Sequence, residues 1–266
     1  MVSREQDEEG LLTLGVDTTT DKRSVVLLRG GRTLAVRVSE LREGGSANLL
    51  VDIDGALSSA AVGLREVELF AAAAGPGSFT GLRSGLATIK GLALTLGKPA
   101  RGVSTLHAIA HAARPARRLL AAVPAGRGEV FAQLLGVSAA GLVTEYEAPA
   151  HIQPARLVER MARLGLGMKW AGGGALKFRE LILEGAGRAG IECITADDAA
   201  VADETAGEAT DDVWLISPRV EALAWSVAVL AGAQDGGAGE SSAETLRAIY
   251  VRPSDAELKE QCHEQV

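Results

Sequence analysis

Apolar residues in the first part of the chain gather into short runs bounded by turn residues. Residues 11–16, 24–28 and 33–38 form three such runs, joined by DTTTD (17–21) and RGGR (29–32). They are too short for helices and rich in Leu and Val, which predicts strands. The paired glycines of the second turn admit positive φ and predict a hairpin. The result is an antiparallel meander whose first turn exposes an Asp and three hydroxyls. After residue 46 the period changes. Leu49, Leu50, Ile53 and Leu57 recur at helical spacing, with Ser46 suited to cap a helix running to residue 60. ELFAAAAG (68–75) predicts a buried strand, GPGSFTG (75–81) a turn, residues 80–96 a second helix, and GKPARGV (97–103) another strand. Strands alternating with helices after a meander give an α/β domain with a mixed sheet.

Further along, residues 107–113 predict an Ala-rich helix that ends at ARPARR, and residues 119–123 and 130–136 predict a hairpin around PAGRGE. A helix at 154–164, a glycine cluster AGGGA at 171–175 and a helix at 176–184 follow. The acidic stretch 195–212 has few apolar anchors and predicts loop with a short helix. PRVEALAWSVAVLAG (218–232) predicts a buried helix, separated by a polar stretch from IYVRPSD (249–255). No repeat of fixed period occurs. Two lobes are expected, 11–112 and 113–218, with residues 219–257 returning to the first.

Composition narrows the class. Hydrophobic residues make up 47% and charged residues 23%, which suits a folded chain rather than a disordered one. Aromatics are only 3%, so the core must be built from Ala, Leu and Val. Thirty-four acids against 27 bases give a net charge of -7 without a long basic block. That argues against a dedicated duplex-DNA binder and leaves room for a small basic patch in a larger complex. Cys193 and Cys262 stand far apart without a CxxC, as expected for a reducing compartment. The polar start MVSREQDEEG is no secretory leader, and the most apolar long segment, 82–96, carries Arg83 and Lys90. A cytoplasmic protein without membrane contact is expected.

Several residues invite a chemical reading. His107 and His111 are four apart on one helix, a spacing that offers two metal ligands or simply a surface or half-buried helix face. Neither the Glu of HExxH nor a third ligand lies nearby, so no metal site is expected. Asp17 ends the first strand, where a carboxylate either orients water or magnesium or caps the amides of Thr19 and Thr20 as a solvated turn residue. Gly172, Gly173 and Gly174 either turn backbone amides toward an adenine or phosphate, or form ordinary loop. GPGSFTG lacks the lysine of a P-loop and reads as a rigid turn with Ser78 and Thr80 as caps. In the helix it opens, Leu82, Leu86, Ile89, Ala93 and Leu96 form an apolar stripe, and Gly81, Gly85 and Thr88 a stripe of small residues. One stripe suits the sheet; the other suits the close approach of a helix, from this chain or from a partner. Arg127 and Glu129 suit an ion pair or a hairpin register device. No GxSxG elbow accompanies the serines, which argues against a serine hydrolase.

Five segments, LGVDTTTD, GPGSFTGLRSGLATIKGLAL, GVSTLHAIA, GRGEVF and IYVRPSDAE, occur in an order that strongly resembles the bacterial TsaB family, over residues 11–257. That family supplies the non-catalytic subunit of the machinery that places threonylcarbamoyl on adenosine 37 of transfer RNA. The resemblance implies a two-lobed actin- and hexokinase-like (ASKHA, ribonuclease H-like) α/β fold, no catalytic residue and no tightly bound cofactor. It implies a TsaD-like catalytic paralogue and a TsaE-like ATPase as partners, with tRNA reached indirectly through the complex. A homodimer of the isolated chain is the alternative assembly, and an ATP-dependent small-molecule kinase of the same superfamily the alternative function.

The same resemblance sets the paralogue's two metal histidines at Thr105 and Ile109. His107 and His111 miss that register by two residues, about 200° around a helix. The partner contact it implies is a helix bundle built from residues 46–60 and 80–96, with Leu49, Leu50, Ile53, Leu57, Gly81, Leu82, Gly85, Leu86, Thr88 and Ile89 in the interface. Two departures stand out. Gly45-Ser46 replaces the family's His-Ser, and PAGRGEV carries Pro124 and Gly126 where the family often has Asp and Arg.

Overall fold

The computed structural model describes residues 10–40, 49–195, 212–218, 220, 222–233 and 242–251. It is an α/β fold with two mixed sheets flanked by helices, as expected. The first sheet holds β1 (Leu12–Asp17), β2 (Lys22–Arg29), β3 (Arg32–Glu40), β4 (Leu69–Gly75) and β5 (Ala100–Ser104), in the order β3-β2-β1-β4-β5. The first three strands are the antiparallel meander, and β4 and β5 run parallel to β1 and to each other. Gly30 and Gly31, at φ 54° and 86°, form the two-residue loop between β2 and β3, a conformation in which other residues are strained.

The second sheet has the order β11-β12-β10-β6-β7-β8. Its strands are β6 (Ala116–Gly126), β7 (Glu129–Val137), β8 (Val143–Glu145), β10 (Met168–Ala171), β11 (Glu192–Thr195) and β12 (Val213–Ile216), with β9 (Ala150–Ile152) paired to β7. Strands β10, β11 and β12 are not apparent from the sequence. They are only four residues long and run parallel, and MKWA and VWLI are buried at nearly every position, so they lack the alternation that marks a half-exposed strand.

Helices α1 (Leu49–Ala60) and α2 (Phe79–Leu96) lie on one face of the first sheet, sharing a core with Leu12, Leu14, Val25 and Phe70. On its other face, α3 (Thr105–Ala112) and α7 (Leu223–Ala233) pack in a core that joins Ala71 and Ala73 of β4 to Leu119 and Ala121 of β6. The outer face of the second sheet carries α4 (Pro154–Leu164), α5 (Gly173–Lys177) and α6 (Arg179–Ala189), over Trp170 and Trp214. The glycine cluster, expected as loop before a helix at 176–184, instead starts α5, with Gly172 as its cap. Residues 242–251 lie against the first sheet's core: Ile249 N donates to Ala74 O at 2.7 Å, and Leu246 is buried there. Ser46, Gly45, the expected loop at 196–211 and residues 252–257 fall outside the described residues.

Candidate functional site

A cleft of about 550 Å³ opens where the turns after β1 and before α2 meet the end of β6 and α5. Thr19, Thr20, Asp21 and Ser78 border it from the first lobe; Val123, Pro124, Gly173, Leu176 and Lys177 border it from the second. Its first-lobe wall is the turn after β1, where Asp17 is fully buried rather than solvated, which corrects the expectation for that residue. The capping part of that expectation stands. Asp17 Oδ1 accepts from Thr19 N at 2.8 Å and from Thr19 Oγ1 at 2.6 Å, and Oδ2 accepts from Thr20 Oγ1 at 2.6 Å. Burial pushes the Asp17 carboxyl above the usual carboxylate range, and these hydrogen bonds pull against that shift.

The network continues into α3. Thr105 Oγ1 lies 3.0 Å from Thr19 Oγ1. Because the single proton of Thr19 already goes to Asp17, Thr105 is the donor in this pair. The turn is also clamped to the start of α2, since Thr18 Oγ1 donates to Gly81 O at 2.6 Å and Ser78 N donates to Thr19 O at 2.8 Å. Ser78 caps α2 by accepting from Gly81 N, as its place in GPGSFTG suggests.

Of the three cluster glycines, only Gly173 borders the cleft. A Cβ on Gly172 would lie 2.4 Å from Ala122 O, and one on Gly174 would lie 2.9 Å from Ala122 Cβ. Those two glycines are spent on the close approach of α5 to β6, which corrects the view of all three as ligand-facing.

His107 and His111 turn away from this wall. His107 Nε2 sits 3.0 Å from Glu145 Oε1; burial lowers its pKa while the Glu145 charge raises it. His111 is buried, correcting its assignment to a surface or half-buried face. Its Nδ1 lies 3.0 Å from Ser226 Oγ and its ring stacks on Trp225 at 5.6 Å. Burial, with the nearby Arg114 charge adding, lowers its pKa to about 4. Thr105 and Ile109 are the α3 residues directed at the Asp17 turn and at Gly172. Among the described residues no group of three or more His, Cys, Asp or Glu is placed to hold a metal. Arg127 takes φ +48° in the tight β6–β7 turn, and Glu129 pairs with His151 at 3.0 Å.

The expected interface set needs the largest correction. Leu49, Ile53, Leu57, Leu82, Leu86 and Ile89 are buried in their own lobe's core. Gly85 is buried too, and a Cβ there would lie 2.3 Å from Thr18 Oγ1; one on Gly81 would lie 1.8 Å from Thr18 O. The small-residue stripe therefore receives the Asp17 turn, not a second helix. Thr88 is half-buried. Leu50 alone of the apolar members is exposed, at 56%; Val51 of α1 and Phe79 and Leu94 of α2 are exposed as well. Periodicity misses these last three because it identifies the stripe a helix buries; the available signal is an apolar residue off that stripe.

Comparison with known proteins gives a consistent result. The family model described as TsaD: tRNA N6-adenosine threonylcarbamoyltransferase matches residues 25–213. The chain is 33% identical over 154 residues to the tRNA threonylcarbamoyladenosine biosynthesis protein TsaB of Escherichia coli (strain K12), covering 57% of this chain and 66% of that one. It is 37% identical over 128 residues to the protein of the same description from Haemophilus influenzae, covering 46% and 53%. A Jannaschia tRNA N6-adenosine threonylcarbamoyltransferase is 32% identical over 124 residues, covering 40% of this chain and 34% of that one. The chain thus spans from about a third to about two thirds of the length of these curated relatives. In three dimensions it is similar to YeaZ from Pseudomonas aeruginosa, with a TM-score of 0.65 at 25% identity over 90% of this chain and 99% of that one. Since the matched segment covers well over half of the 266 residues, the chain belongs to the family described as TsaD: tRNA N6-adenosine threonylcarbamoyltransferase.

Proposed function

We propose that the chain is a TsaB-like, non-catalytic subunit of the tRNA threonylcarbamoyladenosine machinery. In this reading it holds a TsaD-like catalytic paralogue in its active conformation in the cytoplasm, with a TsaE-like ATPase joining the pair. The assembly transfers threonylcarbamoyl from threonylcarbamoyl-AMP to N6 of adenosine 37 in tRNAs that read codons beginning with adenine. The observation that carries the reading is the state of the cleft's first-lobe wall. Both oxygens of Asp17 are taken by its own turn, and Thr105, at one of the two positions to which the family resemblance assigns the paralogue's metal histidines, is bonded to Thr19. A buried carboxylate with its lone pairs already engaged is poorly placed to orient water or magnesium.

The kinase alternative needs a second carboxylate facing Asp17 from the other lobe. That side of the cleft presents Val123, Pro124, Gly173, Leu176 and Lys177, which gives the alternative little support. No helix among the described residues is long and apolar enough to cross a membrane.

The partner surface in this reading is the outer face of α1 and α2, centred on Leu50, Val51 and Leu94. Titration calorimetry with a TsaD-like protein tests the proposal: a one-to-one complex is expected, together with no ATP hydrolysis by the chain alone. Self-association without affinity for the paralogue, or phosphate release that disappears in Asp17→Ala, would overturn it.

A further inference from the structure

The outer face of the second lobe carries two recesses that share Ala155 in their walls. The larger, about 580 Å³, runs between α4 and α6 and is bordered by Arg156, Arg163 and Arg188 with one acid, Glu159. The other, about 500 Å³, lies between the start of α4 and the β6–β7 turn, with Phe178 and Leu181 in its wall. The arginines come from two helices, so no basic run marks them in the sequence. They are gathered by close helix packing: a Cβ on Gly185 of α6 would lie 2.1 Å from Val158 Cγ1 of α4.

Arg163 is paired with Glu159 at 2.6 Å, whereas Arg156 and Arg188 have no partner among the described residues. In a chain of net charge -7 this is a local excess of positive charge. The recess beside it offers the half-buried Phe178 ring, with Lys177 Nζ 5.6 Å from its centroid. Guanidinium charges next to an aromatic face suit a chain that carries phosphates and bases together. An extended peptide would find little main-chain pairing here, because the backbone groups of helical walls are bonded internally.

We propose that this trough holds a single-stranded stretch of RNA, with phosphates against Arg156 and Arg188 and a base against Phe178. The inference rests on the reading of the chain as a subunit of a tRNA-modifying assembly, and adds to it a direct RNA contact. The test is fluorescence anisotropy of a labelled anticodon stem–loop RNA with the full chain, over a range of salt concentrations. In the Arg156→Gln/Arg188→Gln variant, affinity at low salt falls about tenfold, and the slope of log affinity against log salt becomes shallower by about 1.4 to 1.8, because two phosphates are no longer neutralised. Phe178→Ala, checked by its melting curve, weakens binding by about tenfold with the slope unchanged.

Calorimetry with the TsaD-like partner separates this proposal from the reading beneath it, since the arginine variant is expected to keep full partner affinity. If the paralogue does not bind while the RNA does, the scaffold reading fails and the RNA site stands. The RNA proposal is overturned if the wild-type chain does not bind RNA at low salt, or if the arginine variant matches wild type in affinity and slope. Loss of affinity for a protein component, with RNA binding intact, overturns it in favour of an acidic protein partner.

Discussion

The Thr105 hydroxyl lies 3.0 Å from that of Thr19, so the first turn of α3 completes a chain of hydrogen bonds that begins at the buried carboxylate of Asp17. A strand end with its own turn and a helix from a distant part of the chain are thereby tied together at the wall of the cleft. The chemistry available there is structural: each hydroxyl proton has a destination within the protein.

That network predicts a graded response to substitution. Thr105→Val removes one donor while Thr19 keeps its bond to Asp17, and is expected to cost about 1 kcal/mol, or about 2–4 °C in melting temperature. Asp17→Ala takes the acceptor from the buried amide and hydroxyl of Thr19, while the Thr20 hydroxyl keeps Lys22 O at 3.1 Å, and should cost about 3 kcal/mol. Asp17→Asn keeps acceptor capacity on one oxygen, and Thr20 Oγ1 can rotate to accept from the amide, so it should fall between these two. Differential scanning calorimetry checks the order, and an Asp17→Ala variant that melts with wild type would show that the turn is held by other contacts.

Burial of His111 predicts acid sensitivity. Its folded pKa is about 4 against 6.5 for the unconstrained group. As pH falls below 6.5 the unfolded chain takes up a proton that the folded chain refuses, so stability is full above that value and is lost towards 4, by about 3 kcal/mol at most. The lowered pKa of His107 acts in the same direction. The raised carboxyl of Asp17 opposes both, because between 3.8 and its folded value only the folded chain holds that proton. Urea unfolding at about pH 7.5 and about pH 5 is expected to show the decline, and His111→Gln, whose amide can still bond Ser226, to flatten it. An equal decline in the variant would place the acid sensitivity elsewhere.

The meander is legible from the length of its apolar runs and the turn residues between them, although β1 and β2 are buried on both faces. The helix at 154–164 buries one face, so its period shows, and it has the expected bounds, Pro154–Leu164. β10 and β12 are buried on both faces, and four residues carry too little pattern to separate a strand from loop. At the cleft the turn chemistry of DTTTD is readable, since an Asp followed by hydroxyls caps itself. Its burial is not, because Thr105 and Gly81 come from distant segments. The stripe of Gly81 and Gly85 reads as a socket, and it is one; what fills it is Thr18, some sixty residues earlier, which no local spacing could specify.

The same geometry reverses the expected behaviour of Gly85 and moves the partner test to other residues. From the sequence, Gly85→Leu is a natural way to hold a partner helix at a distance, but a Cβ at this position meets Thr18 Oγ1 at 2.3 Å, inside the lobe. That hydroxyl already donates to Gly81 O, and the Thr18 backbone is fixed beneath α2, so the clash has no flexible side chain to absorb it. Gly85→Ala should therefore cost about 1–3 kcal/mol, and Gly85→Leu more, through overpacking of the isolated chain. Leu50, Val51 and Leu94 are at least half exposed, so Leu50→Glu, Val51→Glu and Leu94→Glu should leave its stability within about 0.5 kcal/mol of wild type. If these residues form the centre of the partner surface, burying a carboxylate there should weaken binding to the TsaD-like paralogue by about tenfold to a hundredfold, that is about 1.4–2.8 kcal/mol. Melting curves and calorimetry on the variants at these four positions decide the matter together. Unchanged affinity in all three glutamate variants would remove the outer face of α1 and α2 from the interface, and an unperturbed melt of Gly85→Leu would mean that α2 can shift away from the Asp17 turn without cost.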